Sequence, residues 1–255
     1  MRARYILILV AVVLLSGCTT RSISNSGYRG GGGWYYADNP YYIGELSELE
    51  VLGVQDDKEI TEEDIAKAAD AVGQVSLKRG DTVVVVQSGT QFPDDPMLAE
   101  LQKSFTTIPL SGIPPRRTLP SRRWSDPEAD QAPPPYESIN KSLRLAAAQG
   151  NASTIIVYWG ILESGTVNQA TKTVSWVPVV GSVIPDRSQH MRIRLKGAVI
   201  DVRSGKWRMI VARTVEDERI SAKVNRESSD QAQVARLKEQ GYREFVDTLV
   251  KTFGI

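Results

Sequence analysis

The sequence predicts an α/β domain: a mixed β-sheet with helices packed on its faces, closed by a C-terminal helix, in a single domain. Three observations carry this. Two short runs, Val83–Val86 and Ile155–Trp159, are apolar on consecutive positions and each follows a segment of helical periodicity. That is the pattern of strands covered on both faces. A turn signal, Asp201-Val202-Arg203-Ser204-Gly205-Lys206, joins two further strand-like segments. Finally, Val234, Leu237, Tyr242, Phe245, Leu249 and Val250 recur as one stripe over a helix from about Ser229 to Phe253.

In chain order, the first seventeen residues read as an export signal. Arg2 and Arg4 precede the uncharged run Tyr5–Leu15, which is too short to span a hydrocarbon core, since that takes roughly 20 apolar residues. The run ends in Leu15-Ser16-Gly17-Cys18, which resembles the lipobox of bacterial lipoproteins. The resemblance implies cleavage before Cys18 and transfer of diacylglycerol to its thiol, with acyl chains such as palmitate as the anchor. An ordinary signal peptide or signal anchor is the alternative. Thr19 and Thr20 stand where an inner-membrane lipoprotein would carry Asp. In a Gram-negative host this points to the outer membrane, facing the periplasm.

Cys18 is the only cysteine, so no disulfide framework and no Cys-ligated zinc site is expected. Removal of residues 1–17 takes Arg2 and Arg4 from the 31 basic residues and none from the 30 acidic ones. The near-neutral remainder argues against nucleic acid as a partner, because phosphate binding needs a basic excess. Residues 18–44, with Gly30–Gly33 at their centre, read as the lipidated cysteine and a flexible Gly/Tyr-rich tether. Trp34, Tyr35, Tyr36, Tyr41 and Tyr42 would dock the tether, rest at a membrane interface or stack on a ligand.

Residues 45–255 form the expected domain. Thr61 caps a helix with Glu62, Glu63 and Asp64 in its first turn and an apolar face of Ile65, Ala68, Ala69 and Val72. A second helix is expected over Asp94–Phe105, with Asp94 and Asp95 as cap and first-turn charges, and a third from about Glu137 to Gln149, ended by Gly150. Between them, residues 108–135 hold many prolines and two arginine pairs, Arg116-Arg117 and Arg122-Arg123, and read as a long loop. Thr171–Trp176 is expected to pair with Met191–Arg203, and Lys206–Glu216 to return from the hairpin. Along Met191–Arg203 the apolar positions switch faces, which calls for a bulge near Gly197 or burial of both faces.

This order of elements resembles the group of envelope lipoproteins that includes the penicillin-binding-protein activators and the curli secretion lipoprotein. The resemblance rests on Cys18, the strand Ile155–Gly160 after a helix, the Asp201–Lys206 hairpin and the terminal helix. It implies a non-enzymatic partner-binding or assembly role. No long amphipathic hairpin pair marks a secretion pore.

Chemistry is sparse. His190 is the only histidine, and neither Gln87-Ser88-Gly89 nor Glu163-Ser164-Gly165 has the Gly-x-Ser-x-Gly elbow of a hydrolase. Arg187, Gln189 and Arg192 surround His190, as expected for an exposed turn histidine. No catalytic set, metal site or cofactor is expected. Two surfaces are the candidates for binding. The first is the apolar stretch around Trp176, Val177, Val179, Val180, Val183 and Ile184, broken by Pro178, Gly181 and Pro185. Exposed, it would seek an envelope protein, another copy or lipid; buried, it is an edge segment. The second is the strand end at Gln87, Ser88 and Thr90, where open α/β sheets often hold ligands. The expected function is therefore an outer-membrane lipoprotein binding another cell-envelope component. A periplasmic hydrolase of peptide or wall fragments and a self-assembling subunit are the rivals.

Overall fold

The computed structural model describes residues 21–26, 42–54, 59–70, 74–115, 138–167, 174–178, 188–220 and 226–255. Two long strands, β4 (Thr154–Val167) and β6 (Ser188–Asp201), run antiparallel from the pair Thr154–Asp201 to Gly165–His190 without a break in register. Every other strand hangs on this pair or on a neighbour of it. β2 (Thr82–Gln87) lies parallel to the first part of β4, and β3 (Thr106–Leu110) lies parallel to β2 as the sheet edge. Past the end of β2, the same edge of β4 takes β1 (Arg21–Ser22) at Ile161 and Leu162, then β5 (Val174–Pro178) over Glu163–Val167. On the far side, β7 (Trp207–Val211) and β8 (Val215–Ile220) share β6 end to end. The described residues thus form one mixed sheet of eight strands, as the apolar runs and the hairpin predict.

Helices cover both faces. The described helices are α1 (Glu48–Val51), α2 (Glu62–Asp70), α3 (Asp95–Gln102), α4 (Ile139–Gln149) and α5 (Arg226–Phe253). On one face, Met97 and Leu101 of α3 and Leu237, Tyr242, Phe245 and Leu249 of α5 pack on Val83, Val85, Ile156, Tyr158, Ile193 and Val199. On the other, Val51 of α1 and Leu143 and Ala147 of α4 pack on Val84, Val86, Ile155, Val157, Ala198 and Ile200. Consecutive residues of β2 and β4 therefore point into opposite cores, and each large aliphatic side chain so buried contributes roughly 1.5–3 kcal/mol. This is why those runs lack the alternation of a half-exposed strand.

Several expectations change. The face switch in β6 comes from burial on both sides: Ala198, Val199 and Ile200 are all buried while the register with β4 stays constant. The bulge lies on the partner strand instead, where Arg213 and Thr214 stand opposite Arg194 alone, between the Leu195–Ala212 and Ile193–Val215 pairings. It divides the single strand expected after the hairpin into β7 and β8. Val174–Pro178 pairs with β4, not with Met191–Arg203, because β6 already fills both of its own edges. Residues 106–110, partly inside the expected loop, form β3. Pro109 is tolerated there because an edge strand has one side without ladder hydrogen bonds. Residues 21–26, inside the expected tether, belong to the sheet and core: Ile23 is buried, and β1 pairs with β4. The cap of α2 forms as expected, with Thr61 Oγ1 accepting from the Asp64 amide and Asp64 accepting in return from the Thr61 amide and hydroxyl, yet the helix buries none of its residues and Ile65 is 53% exposed. Val72 lies outside the described residues, as do Gly30–Gly33, Trp34, Tyr35, Tyr36, Tyr41 and both arginine pairs.

The contact between α5 and the sheet depends on Gly197. A Cβ there would lie 2.6 Å from Phe245 Cζ and 3.0 Å from the Val157 carbonyl oxygen. Gly197→Ala should therefore lower stability by about 1–3 kcal/mol, as overpacking of a filled core does. Urea unfolding would show it; a wild-type midpoint in the variant would mean that α5 does not pack this closely on β6.

Candidate functional site

β2 ends in Gln87, and this is the strand end where an open α/β sheet would receive a ligand. Here the space is filled by the chain itself. The Gln87 side chain is fully buried, and its Oε1 accepts from the Tyr158 hydroxyl at 2.5 Å and from the Asp94 amide at 2.8 Å. Its Nε2 donates to Ser24 Oγ at 3.1 Å, and Ser24 Oγ donates onward to the Ser88 carbonyl at 2.5 Å. Ser88 is buried too, with its Oγ accepting from the Leu46 amide at 2.7 Å. Both Gln87 and Ser88 thus have protein partners, where the strand-end pattern predicts ligand contacts. Thr90, half-buried, donates to the carbonyls of Gln87 and Phe92 and so shapes the turn that follows.

The network continues across the sheet. Asp94 occupies the N-cap position of α3 but makes no side-chain cap bond. Its carboxylate is turned instead to Lys238 Nζ at 2.8 Å and to the Tyr242 hydroxyl. The expected cap thus serves as an anchor for α5, and Tyr242, expected only as part of an apolar stripe, supplies a hydroxyl as well as a ring. The Tyr158 and Tyr242 rings meet edge-on, with centroids 6.0 Å apart. Burial, together with the nearby Asp94 charge, raises the pKa of both tyrosines well above the ordinary value, so both remain neutral donors. Nothing in local sequence periodicity marks Asp94, Tyr158, Ser24 or Lys238 as neighbours; only the fold brings them together.

A second group forms where residues 42–46 cross the strand end. Gly89 has φ +82°, and a Cβ there would lie 2.8 Å from Tyr42 and 3.2 Å from Ser24, so glycine lets both segments close over β2. Glu45 Oε2 is buried without a hydrogen-bond partner. Burial pushes this carboxyl up from its ordinary value, outweighing the opposing effect of the Ser22, Ser88 and Tyr42 hydroxyls. Burial and the Glu45 charge push the Tyr42 phenol up to about 12.

The other predicted residues fall elsewhere. Trp176 and Val177 lie in β5, opposite Gly165 and Ser164 of β4, while Val179, Val180, Val183 and Ile184 lie outside the described residues, as does Cys18. His190 is not a turn residue: β6 begins at Ser188 and places it between Gly165 and Glu218, half-buried and far along the strand from Ser88. Among the described residues no group of three His, Cys, Asp or Glu side chains is arranged to hold a metal. A shallow cleft of about 690 Å³ opens at the other end of the sheet, lined by Lys141, Arg144, Leu145, Ser153, Asp201 and Arg203. There Arg144 donates to the carbonyls of Val202 and Arg203.

Fold and site define an open α/β domain whose strand end is filled by its own N-terminal residues, next to the point where an N-terminal anchor would enter. The chain belongs to the YafT family of bacterial lipoproteins, whose model matches residues 47–252. Membership makes it a bacterial lipoprotein, a class held to membranes by lipid. No curated protein matches it. Among solved structures it is similar to the hypothetical protein CT253 from Chlamydia trachomatis, at 12% identity and a TM-score of 0.31. That similarity covers 67% of this chain and 95% of the other. No described helix is long and apolar enough to cross a membrane.

Two outcomes follow from this geometry. Gln87→Leu strands the Tyr158 hydroxyl and the Asp94 amide in a dry interior, and should cost at least about 2 kcal/mol against about 1 for Tyr158→Phe, which leaves no orphan on Gln87 Oε1. Equal losses in urea would deny Gln87 its central place. Glu45 binds its proton more readily when folded, so its contribution is complete below the ordinary value of 4.5 and is lost as pH rises through the higher folded value. The wild-type unfolding midpoint should therefore decline from pH 4.5 towards neutrality more steeply than that of Glu45→Gln. Parallel curves would show that Glu45 is not the group responsible.

Proposed function

We propose that this lipoprotein is anchored through diacylated Cys18 in the outer membrane, and that its periplasmic domain is a non-enzymatic binding or assembly factor for another envelope component. The observation that carries the reading is the filled strand end. Ser24 and Leu46 take the hydrogen-bonding groups of Gln87 and Ser88 that would otherwise face a ligand or substrate. A side chain so committed must break buried bonds before it can do chemistry. The likeness to the penicillin-binding-protein activator and curli lipoproteins belongs to the same reading. So does the choice of Trp176 and Val177 as the start of a contact surface: β5 pairs with β4, and no described strand lies on its outer edge. Lipid anchoring adds effective concentration, since it confines such a surface to a thin layer beside its partner.

In cells, Cys18→Ala should remove incorporation of labelled palmitate and move the protein from the membrane to the soluble fraction. Density separation of wild-type membranes should place it with outer-membrane markers. Retention of label by Cys18→Ala would remove the lipobox assignment. A photo-crosslinker at Val177 should capture a specific envelope protein; capture no greater than from a probe at Leu145 would remove that contact surface.

A further inference from the structure

Arg21 is already paired with Leu162 of β4, and only Thr19 and Thr20 separate it from Cys18. Fully extended, three residue steps reach about 11 Å. An acyl anchor on Cys18 therefore holds the β1 edge of β4 near the bilayer and leaves no room for a long leash. Two exposed apolar side chains stand on that side. Ile43 is 46% exposed and lies between Tyr42 and Gly44, which close over Gly89 beside Ser24, and Phe92 is 69% exposed in the turn that follows Gly89. Neither sits on a loose tip. The Phe92 carbonyl accepts from Thr90 Oγ1 at 2.8 Å, and the Leu46 amide is held by Ser88 Oγ at 2.7 Å.

Resting on the anchoring of Cys18, we propose that this side of the domain is its membrane-apposed face, with Ile43 and Phe92 seated in the headgroup region of the bilayer. The occupant is lipid rather than a protein because the anchor fixes where the bilayer lies. An exposed phenyl ring and a branched aliphatic chain, held within reach of the anchor, suit the boundary between headgroups and acyl chains. The cleft with Lys141, Arg144 and Arg203 then lies away from the membrane, at the Thr154–Asp201 end of β4 and β6. Lipid on Cys18 thus orients the domain as well as confining it.

The native chain has no other cysteine, so one introduced thiol takes a fluorescent label alone. The whole lipoprotein would be purified from membranes as Ile43→Cys, Phe92→Cys or Leu145→Cys, labelled with a polarity-sensitive fluorophore and placed in phosphatidylethanolamine–phosphatidylglycerol vesicles. Leu145, 62% exposed in the distant cleft, is the aqueous control. Mass spectrometry of the same samples reports acylation of Cys18. The labels at 43 and 92 should emit at shorter wavelength than at 145 and be quenched by lipids with a nitroxide near the headgroup. The label at 145 should be unaffected. With acylation verified, labels at 43 and 92 as water-exposed as that at 145 would overturn the proposal, as would shielding that survives in detergent without quenching by lipid, the mark of a second copy or a protein partner. Absence of acyl chains on Cys18 would instead remove the anchoring on which the proposal rests.

Discussion

The fold depends on the antiparallel ladder between β4 and β6. It sets the register of the sheet, and each outer edge of the pair carries more than one strand along its length. β4 carries β2 and then β1 and β5; β6 carries β7 and then β8. In one half, helices cover both faces, and Ile155–Trp159 and Gly197–Ile200 of the ladder are all buried. In the other half the sheet runs on past β2, and charged residues such as Arg192 and Arg194 enter the ladder, Arg192 paired with Glu163 at 2.6 Å. The change from a doubly covered to a partly covered sheet takes place within single strands. Close packing at the covered end is strict: Gly160 and Gly197 leave no space for a Cβ against Leu195 and Phe245.

At the border between the two halves lies the polar network of Ser24, Gln87, Ser88, Asp94, Tyr158, Lys238 and Tyr242. A network of this kind stabilises little if each bond is weighed against water, but leaving one member unmatched is expensive. Its physical effect is specificity. It ties three pieces distant in sequence, the N-terminal residues, the end of β2 and helix α5, into one arrangement that alternative packings cannot satisfy. Glu45 is the exception, a carboxyl with one oxygen buried and unmatched, and burial pushes its pKa up from the ordinary value.

That closure also changes what the anchor means. A glycine-rich leash would let the domain wander; instead the chain joins the sheet at Arg21, and the glycines follow rather than precede the first strand. A lipid carried on Cys18, as proposed, would pull directly on an edge of β4 and on the network at the end of β2. The chain belongs to a bacterial lipoprotein family, and its sheet begins at Arg21, three residues after Cys18.

What was legible in the sequence is what short-range physics controls. Consecutive apolar residues marked β2 and β4 as doubly buried, the 3.6-residue stripe marked α5, Gly150 ended α4, and the Asp201–Lys206 turn appeared as read, with the Ser204 amide and hydroxyl bound to Asp201. Ser88 and Gln87 were recognisable as a strand end, but their partners were not. β3 was hidden because Pro109 is a poor strand residue except at an edge, and edges are assigned only when the sheet is assembled. β1 was hidden because a two-residue strand has no periodicity, and Ser22–Ser26 reads as tether until Ser24 is seen on Gln87. The sequence by itself determined β2, β4, α4, α5, the Asp201–Lys206 turn and the near-neutral charge. Only the tertiary structure decided that the N-terminal residues fill the strand end, because bonds between groups 63 or 71 residues apart leave no local pattern to read.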